Sequence, residues 1–301
     1  MYAAWLATAL LVGCLLAVQT SANLQLTKAV GTPYGASTLQ LMVAAGLLAA
    51  VALATGALTA IRLDVPTWHL LGGLASPIYI TSGILLFPRL GALASVGLFV
   101  TGQVAASLAL DLFGLLGIPR QPSSTGIVLG VVAVLAGITV IIRELRPGGA
   151  AQMPNRIPWV LLGLIAGAVL PLQGAVNARL RADLHAPLAV ALISFVVATI
   201  AIATVLLIRR TPRPQVRPLR TMPWWGWLGG ACAATYVTAT FLLIPTIGAA
   251  TTVALTVTGQ QLASALIDHS GLFRLPRRPM STPRLSGLAL LVAGSVLVQL
   301  V

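Results

Sequence analysis

Two short stretches of this chain carry the same polar residues in apolar surroundings. Residues 100–111 read VTGQVAASLALD and residues 257–268 read VTGQQLASALID, so that seven of the twelve paired positions are identical. A glutamine carboxamide offers both a hydrogen-bond donor and an acceptor, and in an apolar medium such groups can hold a ligand. The pattern therefore predicts that Gln103 and Gln260 bind the substrate.

Other polar residues within apolar runs extend this candidate set. Counting along each run places tyrosine and threonine side chains near its middle, and Gln and Asn residues four apart share one helix face. The further candidates for substrate binding are Tyr79, Tyr236, Thr101, Thr258, Gln261, Gln19, Asn23, Gln173 and Asn177. Two alternatives stay open. The amides could instead bridge neighbouring helices at ~0.6 kcal/mol each, and the Gln/Asn pairs could satisfy exposed backbone where a helix frays.

The twin stretches each end in an aspartate, and Asp111 and Asp268 are the acidic residues that recur in both. The helix dipole disfavours a negative charge at a helix C-terminus, so another interaction should hold each carboxylate there. We predict gate residues or proton sites; the alternative is interfacial carboxylates paired with Arg120 or Arg277. No Asp or Glu falls at mid-span, which favours neutral, zwitterionic or amphipathic ligands over organic cations.

The composition predicts a membrane protein. The 301 residues are 58% hydrophobic and 8% charged, with a mean hydropathy of +0.98, and each apolar run is long enough to cross a ~30 Å hydrocarbon core as a helix. We find no catalytic cluster, phosphate-binding glycine loop or metal-ligand spacing, and therefore expect no enzyme activity, metal or cofactor. The net charge of +13 lies in short loops, which indicates topology and contact with anionic lipid rather than nucleic-acid binding.

The apolar runs predict an all-α protein with ten membrane-spanning helices. The predicted spans are residues 3–23, 35–60, 68–88, 91–112, 124–143, 157–178, 187–208, 223–245, 248–268 and 284–301. At offsets of 154 to 157 residues the second five repeat the first, which indicates a tandem duplication. We accordingly expect a first five-helix repeat at 1–147, a short cytoplasmic linker at 148–156 and a second repeat at 157–301.

The number of spans in each copy predicts how the copies are oriented. Because five is odd, the second copy must enter the membrane from the opposite side, which makes the repeat inverted. The loops after odd-numbered spans carry fourteen Lys or Arg residues and the opposite loops carry four. By the positive-inside rule the fourteen face the cytoplasm, so both termini are predicted to lie outside.

These motifs also carry a family resemblance. With LPLQGAVNARL at 170–180, LISF at 192–195 and the twin TGQ motifs, nearly the whole chain resembles the YdcZ-type family of bacterial inner-membrane proteins, a branch of the drug/metabolite transporter superfamily. The resemblance implies the fused, ten-span form and a small-molecule exporter, but no particular substrate. The first-half counterpart VQTSANLQL keeps Gln19 and Asn23 and loses the Pro-Leu-Gln-Gly context.

The sequence thus predicts a bacterial inner-membrane secondary transporter that exports a small molecule by alternating access between the two repeats. A lipid-handling or channel-like protein that does not alternate is the competing interpretation. Glycines four apart at 126–130, 163–167 and 226–230 predict close helix packing within the chain, or a homodimer seam. The expected partners are a small-molecule substrate and lipid, with the protein a monomer or a homodimer.

Overall fold

The computed structural model describes residues 2–62, 64–118, 120, 124–144, 156–209 and 216–300, and these contain long α-helices and no β-strand. The helices of the first part are α1 (Tyr2–Val30), α2 (Pro33–Ala54), α3 (Ala75–Leu90), α4 (Ala92–Phe113) and α5 (Thr125–Arg143). Those of the second part are α6 (Ile157–Leu184), α7 (Pro187–Ile208), the short α8 (Val216–Thr221), α9 (Leu228–Ile247), α10 (Ala249–Ser270) and α11 (Thr282–Leu300). The 3₁₀ segments Thr67–Leu74 and Trp224–Trp227 lead into α3 and α9.

Seven helices of the described residues are long and apolar enough to cross a membrane by length and composition. They are α1, α2, α4, α5, α6, α7 and the continuous stretch Thr67–Leu90. These correspond to the first seven predicted spans, although α1 runs seven residues beyond the predicted end at 23 and α2 ends at Ala54, short of the predicted 60. The prediction of an all-α membrane protein is confirmed, while the count of ten spans stays a prediction.

Single glycines separate the helices that carry the twin motifs from the helices before them. Gly91 joins α3 to α4 with φ 88°, and Gly248 joins α9 to α10 with φ 86°. Only glycine adopts this backbone conformation without strain. Pro88, predicted to end the third span, lies inside the last turn of α3, which continues to Leu90. Each twin helix therefore starts abruptly, with its first backbone N–H groups free of helical partners.

The last helices of the two parts, α5 and α11, pack against each other through glycines. A Cβ atom on Gly130 would lie 2.8 Å from the Gly294 carbonyl oxygen, and one on Gly137 would lie 2.7 Å from that of Gly287. As residue numbers rise along α5 they fall along α11, so these equivalent helices run antiparallel. The prediction that Gly130 belongs to a packing motif within the chain is confirmed.

The first helix of each part packs against the other part. α1 lies against α9 and α10, while α6 lies against α3 and α4. At equivalent crossings, a Cβ atom on Gly13 would collide with the backbone of Thr256 and one on Gly167 with the backbone of Phe99. The same close approach is therefore built twice. As a result, the twin motifs in α4 and α10 are both held by a helix from the opposite part of the chain.

Candidate functional site

Asp268, near the end of α10, forms the centre of a buried polar cluster. Its side chain is 1% exposed, and its two carboxylate oxygens accept hydrogen bonds from the backbone N–H groups of Ala92 (2.7 Å) and Leu93 (3.2 Å). The guanidinium of Arg284 donates to the same carboxylate at 2.6 Å. A carboxylate is stabilised by the free N–H groups and positive dipole end of a helix. Asp268 therefore caps α4, which is the interaction that the sequence required but did not identify.

Arg278, from the loop between α10 and α11, completes this cluster at the end of α3. Its guanidinium donates to the carbonyls of Leu90 (2.8 Å) and Arg89 (3.1 Å), and its own N–H donates to the Asp268 carbonyl at 2.6 Å. Burial lowers the pKa of this guanidinium, and the negative charge of Asp268 opposes that shift. Asp268, Arg278 and Arg284 together hold the break at Gly91, and we call them the Gly91 clamp.

The equivalent aspartate has no such clamp. Asp111 is half-buried near the end of α4, and its carboxylate forms no hydrogen bond or ion pair within the described residues. Arg120 donates instead to the Leu112 carbonyl (2.7 Å), and Arg277 to that of His269 (3.0 Å). The suggested pairing of the aspartates with Arg120 or Arg277 is therefore wrong, because both arginines close turns of their own segments.

The twin glutamines also differ. Gln260 is 1% exposed and donates to the hydroxyl of Tyr79 at 2.6 Å, which links α10 to α3. Gln103 is half-buried, and its amide makes no hydrogen bond among the described residues. Gln261 is fully buried and donates weakly to Ser295 at 3.5 Å. One twin is thus engaged between helices, and the other has its hydrogen-bonding capacity free.

The two Gln/Asn pairs lie well inside their helices. α1 continues to Val30 and α6 to Leu184, about two turns beyond Asn23 and Asn177, so the alternative that these pairs satisfy frayed helix ends is wrong. Asn23 donates to Gln40, and Asn177 donates to Ser194 at the equivalent position of α7 (3.2 Å).

The neighbouring glutamines differ in their partners. Gln173 contacts the hydroxyls of Ser76 (2.9 Å) and Ser194 (3.3 Å). The carbonyl oxygen of Gln19 is buried without a partner, as are the side-chain oxygens of Asn23 and Asn177. These amides therefore keep unused acceptors in both parts.

Among the predicted hydroxyl residues, the two threonines are alike and the two tyrosines differ. Thr101 and Thr258 each donate to the carbonyl four residues earlier in the same helix, at 2.8 Å, so both hydroxyl protons are already used. Tyr79 is 4% exposed and packs on Phe99, with ring centroids 4.9 Å apart, whereas Tyr236 is half-buried.

Twin residues therefore have unequal surroundings, and the inequality has a direction. The start of α4 and the end of α10 are tightly buried around Asp268. The end of α4, around Asp111, is only half-buried. The Gly91 clamp thus holds one end of the helix bundle tightly, and the described residues show no equivalent contact at the other end.

Comparison with known proteins decides the family. The model of the family described as "Putative inner membrane exporter, YdcZ" matches residues 4–140 and again residues 158–297. The chain belongs to the YdcZ family. The two matched regions follow one another and together cover most of the sequence, so the resemblance inferred from the TGQ and LPLQGAVNARL motifs is confirmed. The family places the protein among multi-pass inner-membrane transporters rather than enzymes.

A solved structure also resembles this YdcZ-family chain. It is described as "Crystal structure of protein", and it matches with a TM-score of 0.63 and 20% identity over 97% of this chain and 96% of the other. At that identity the likeness supports the fold alone. No curated protein matches the chain. Among the described residues of this YdcZ-family member, no three His, Cys, Asp or Glu residues are grouped as a metal site.

The sequence did not identify every residue of the cluster. In the sequence, Arg278 and Arg284 are recognisable only as positive charges of a loop, and no motif marks Gln40 or Ser194 as binding residues. A signal for the arginines existed, because Asp268 at a helix C-terminus required a compensating charge. For Gln40 and Ser194 the signal is weaker, since they occupy equivalent positions but differ in residue type.

Proposed function

We propose that this protein is a secondary transporter that exports a small neutral, zwitterionic or amphipathic metabolite or drug by alternating access. The observation that carries the proposal is the unequal state of the twin aspartates: Asp268 is buried in the Gly91 clamp, and Asp111 is half-buried without a partner in the described part of the chain. Two copies of one motif in two environments are expected of a carrier that closes one end of its pathway at a time.

Several features support two inverted repeats at 1–147 and 157–301. Equivalent helices α5 and α11 run antiparallel through their glycine contacts, and α1 and α6 make matching crossings with the opposite part. If five helices of each part span the membrane, antiparallel twins place the parts in opposite orientations. By the positive-inside rule the Gly91 clamp then lies on the cytoplasmic side and both termini lie outside. The present conformation is therefore closed on its cytoplasmic side.

The clamp suggests how the two ends exchange. Gly248 gives α10 the same abrupt start that Gly91 gives α4, so the first N–H groups of α10 form an equivalent cap site. In the opposite conformation Asp111 takes that site, while Asp268 leaves the start of α4. The two caps are not equal, because Arg278 and Arg284 align with Gln121 and Ile127. The clamped state therefore has charge-assisted hydrogen bonds from arginine that the opposite state replaces only with the cap of α10.

Uncharged amides and hydroxyls are the groups that this pathway offers a substrate near its middle. Among the described residues, the Gln103 amide and the buried side-chain oxygen of Gln19 have no hydrogen-bond partner, and Tyr236 is half-buried. Such groups bind neutral or zwitterionic hydrogen-bonding ligands, and each unused acceptor gains a partner when a ligand arrives. We therefore assign substrate contact first to Gln103 and Gln19 and regard the Gln260–Tyr79 pair as a structural contact between α10 and α3.

The experiment has two stages. Purified protein is screened against a metabolite library by thermal shift, because a ligand that binds the folded state raises the Tm. A ligand found in this way is then tested in proteoliposomes for saturable flux and counterflow. Saturation with counterflow is the expected result. Flux that neither saturates nor shows counterflow would instead favour the channel-like or lipid-handling function.

A further inference from the structure

A cavity of about 300 Å³ lies at the end of the bundle where α6 finishes, away from the Gly91 clamp. It is lined by Trp68, His69, Leu116, Gly117 and Arg179. The volume is at the lower end for ligand pockets and suits a small polar group attached to a short apolar body. The transport proposal assigns no role to this cavity.

His69 supplies a polar group to the cavity. It is 8% exposed, and its Nδ1 lies 2.5 Å from a carboxylate oxygen of Asp183 on α6. The carboxylate orients the ring and accepts from Nδ1. The other ring nitrogen, Nε2, has no partner within the described residues and is left for a ligand.

Arg179 supplies a fixed positive charge. Its Nε donates to the Leu116 carbonyl at 3.1 Å and its Nη2 donates to the Gly117 carbonyl. A guanidinium carries five N–H donors, so three remain after these two bonds. The charge is permanent at any physiological pH.

The residue equivalent to Arg179 in the first part is Gln25, which makes the corresponding hydrogen bond without a positive charge. There Gln25 donates to the Phe273 carbonyl at 2.9 Å, just as Arg179 donates to that of Leu116. Leu116 and Phe273 are themselves equivalent, and both have left-handed backbone, with φ of 53° and 58°. A neutral amide therefore suffices to hold this turn, and the position equivalent to Arg179 carries no charge. The cation of the equivalent site stands elsewhere, since Arg274 aligns with Gly117.

The aromatic packing also differs between the two equivalent sites. Trp225 packs its ring against Phe273 with centroids 5.5 Å apart, whereas Trp68 packs against His69 at 4.1 Å and leaves space beside Leu116. The positions equivalent to His69 and Asp183 hold Gly226 and Ala29. The site at His69 thus combines a histidine, its orienting carboxylate and an arginine on α6, a combination that the equivalent positions do not repeat.

We propose that this cavity binds an oxyanion joined to an apolar body, with Arg179 and His69 as its polar contacts and Trp68 and Leu116 beside the apolar part. The same chemistry is found in a free aromatic carboxylate and in the headgroup of an anionic phospholipid. Trp68 is 43% exposed, which suits a site open to the membrane interface. This binding does not depend on the transport proposal.

The test uses benzoate as the free anion and phosphatidylglycerol, against phosphatidylcholine, as the lipid. Arg179→Gln installs the residue found at the equivalent position, so the turn at Leu116 keeps an amide donor and loses only the charge. Arg120→Gln is the matched control, because Arg120 is exposed, donates to the Leu112 carbonyl and is not among the residues that line the cavity. Arg179→Lys tests whether charge alone restores binding.

Benzoate affinity is measured by thermal shift and lipid retention by native mass spectrometry of the full chain. At least one probe should bind the wild type and the Arg120→Gln variant, and Arg179→Gln should weaken it about tenfold or more. Arg179→Lys should restore part of the affinity. The proposal is overturned if neither probe binds, or if Arg179→Gln and Arg120→Gln bind alike. Because binding is measured without transport, failure here leaves the carrier proposal standing.

Discussion

Asp268 and Arg284 form an ion pair at 2.6 Å with almost no solvent contact, and the same carboxylate caps the first N–H groups of α4. Neither half of this arrangement is reproduced at Asp111 within the described residues. The structure thus gives the two aspartates different surroundings, and the sequence agrees with this, because Arg284 aligns with Ile127 in the first copy. The predictions below follow from that difference and from the helix contacts around it.

Replacement of Asp268 by Asn should destabilise the protein strongly. The change leaves the buried Arg284 guanidinium without its counter-charge, and breaking a buried pair costs about 3 kcal/mol or more. Asp111→Asn is the matched control and should cost less than about 0.5 kcal/mol, since that carboxylate has no described partner. Thermal unfolding of both variants in detergent checks this. Equal losses in Tm would contradict the Gly91 clamp.

Gly91→Ala and Gly248→Ala should differ although the two glycines have the same backbone conformation. Both variants pay a strain of about 1–3 kcal/mol for a non-glycine residue at this φ. Only at Gly91 would the added Cβ lie 2.8 Å from the Asp268 carboxylate, whereas nothing lies within 4 Å at Gly248. Gly91→Ala should therefore have the lower Tm. A lower Tm for Gly248→Ala would show that the clamp is not closed in the membrane protein.

The glutamine twins should separate into a structural and a binding residue. Tyr79→Phe leaves the buried Gln260 amide without an acceptor and should cost about 1–3 kcal/mol. Gln103→Leu should change the Tm little, because its amide has no described partner, yet it should abolish the thermal shift caused by a substrate. The assignment of Gln103 fails if the substrate shift persists in that variant.

Packing between α5 and α11 should depend on each of its four glycines. Gly137→Val places a branched side chain against the backbone of α11, where even a Cβ atom would lie 2.7 Å from the Gly287 oxygen. Overpacking of this kind costs about 1–3 kcal/mol or more. Gly46→Val in α2 is the control, since nothing lies within 4 Å of a Cβ there. Similar Tm values for the two variants would argue against the antiparallel contact.

Much of the fold could be predicted from the sequence, because helix positions follow from apolar runs and from Gly and Pro at their ends. The candidate site was predictable only in part. The duplication identified Asp111 and Asp268, and at the offset of 157 residues Arg278 and Arg284 have Gln121 and Ile127 as counterparts, so only the second copy carries the charges of the clamp. Arg278 and Arg284 reach Asp268 across a loop, and such contacts depend on tertiary packing rather than on local pattern.

The histidine site shows the same limit. His69 and Asp183 are 114 residues apart, and neither residue type is repeated at the equivalent position of the other part. Their contact arises because the Thr67–Leu74 segment packs between α6 and α7. Comparison of equivalent positions, rather than of motifs, reveals this kind of site.

Access of water to the two ends tests the central claim most directly. Ser107 and Ser264 are equivalent positions, half-buried and fully buried respectively, and each is changed to Cys in a protein whose Cys14 and Cys232 are replaced by Ala. A membrane-impermeant thiol reagent is applied to each side of sealed vesicles. We predict that Ser107→Cys reacts from the outside and that Ser264→Cys is protected. Asp268→Asn, labelled well below its lowered Tm so that the protein stays folded, should reverse this preference. Equal labelling of both positions, unchanged by Asp268→Asn, would contradict alternating access.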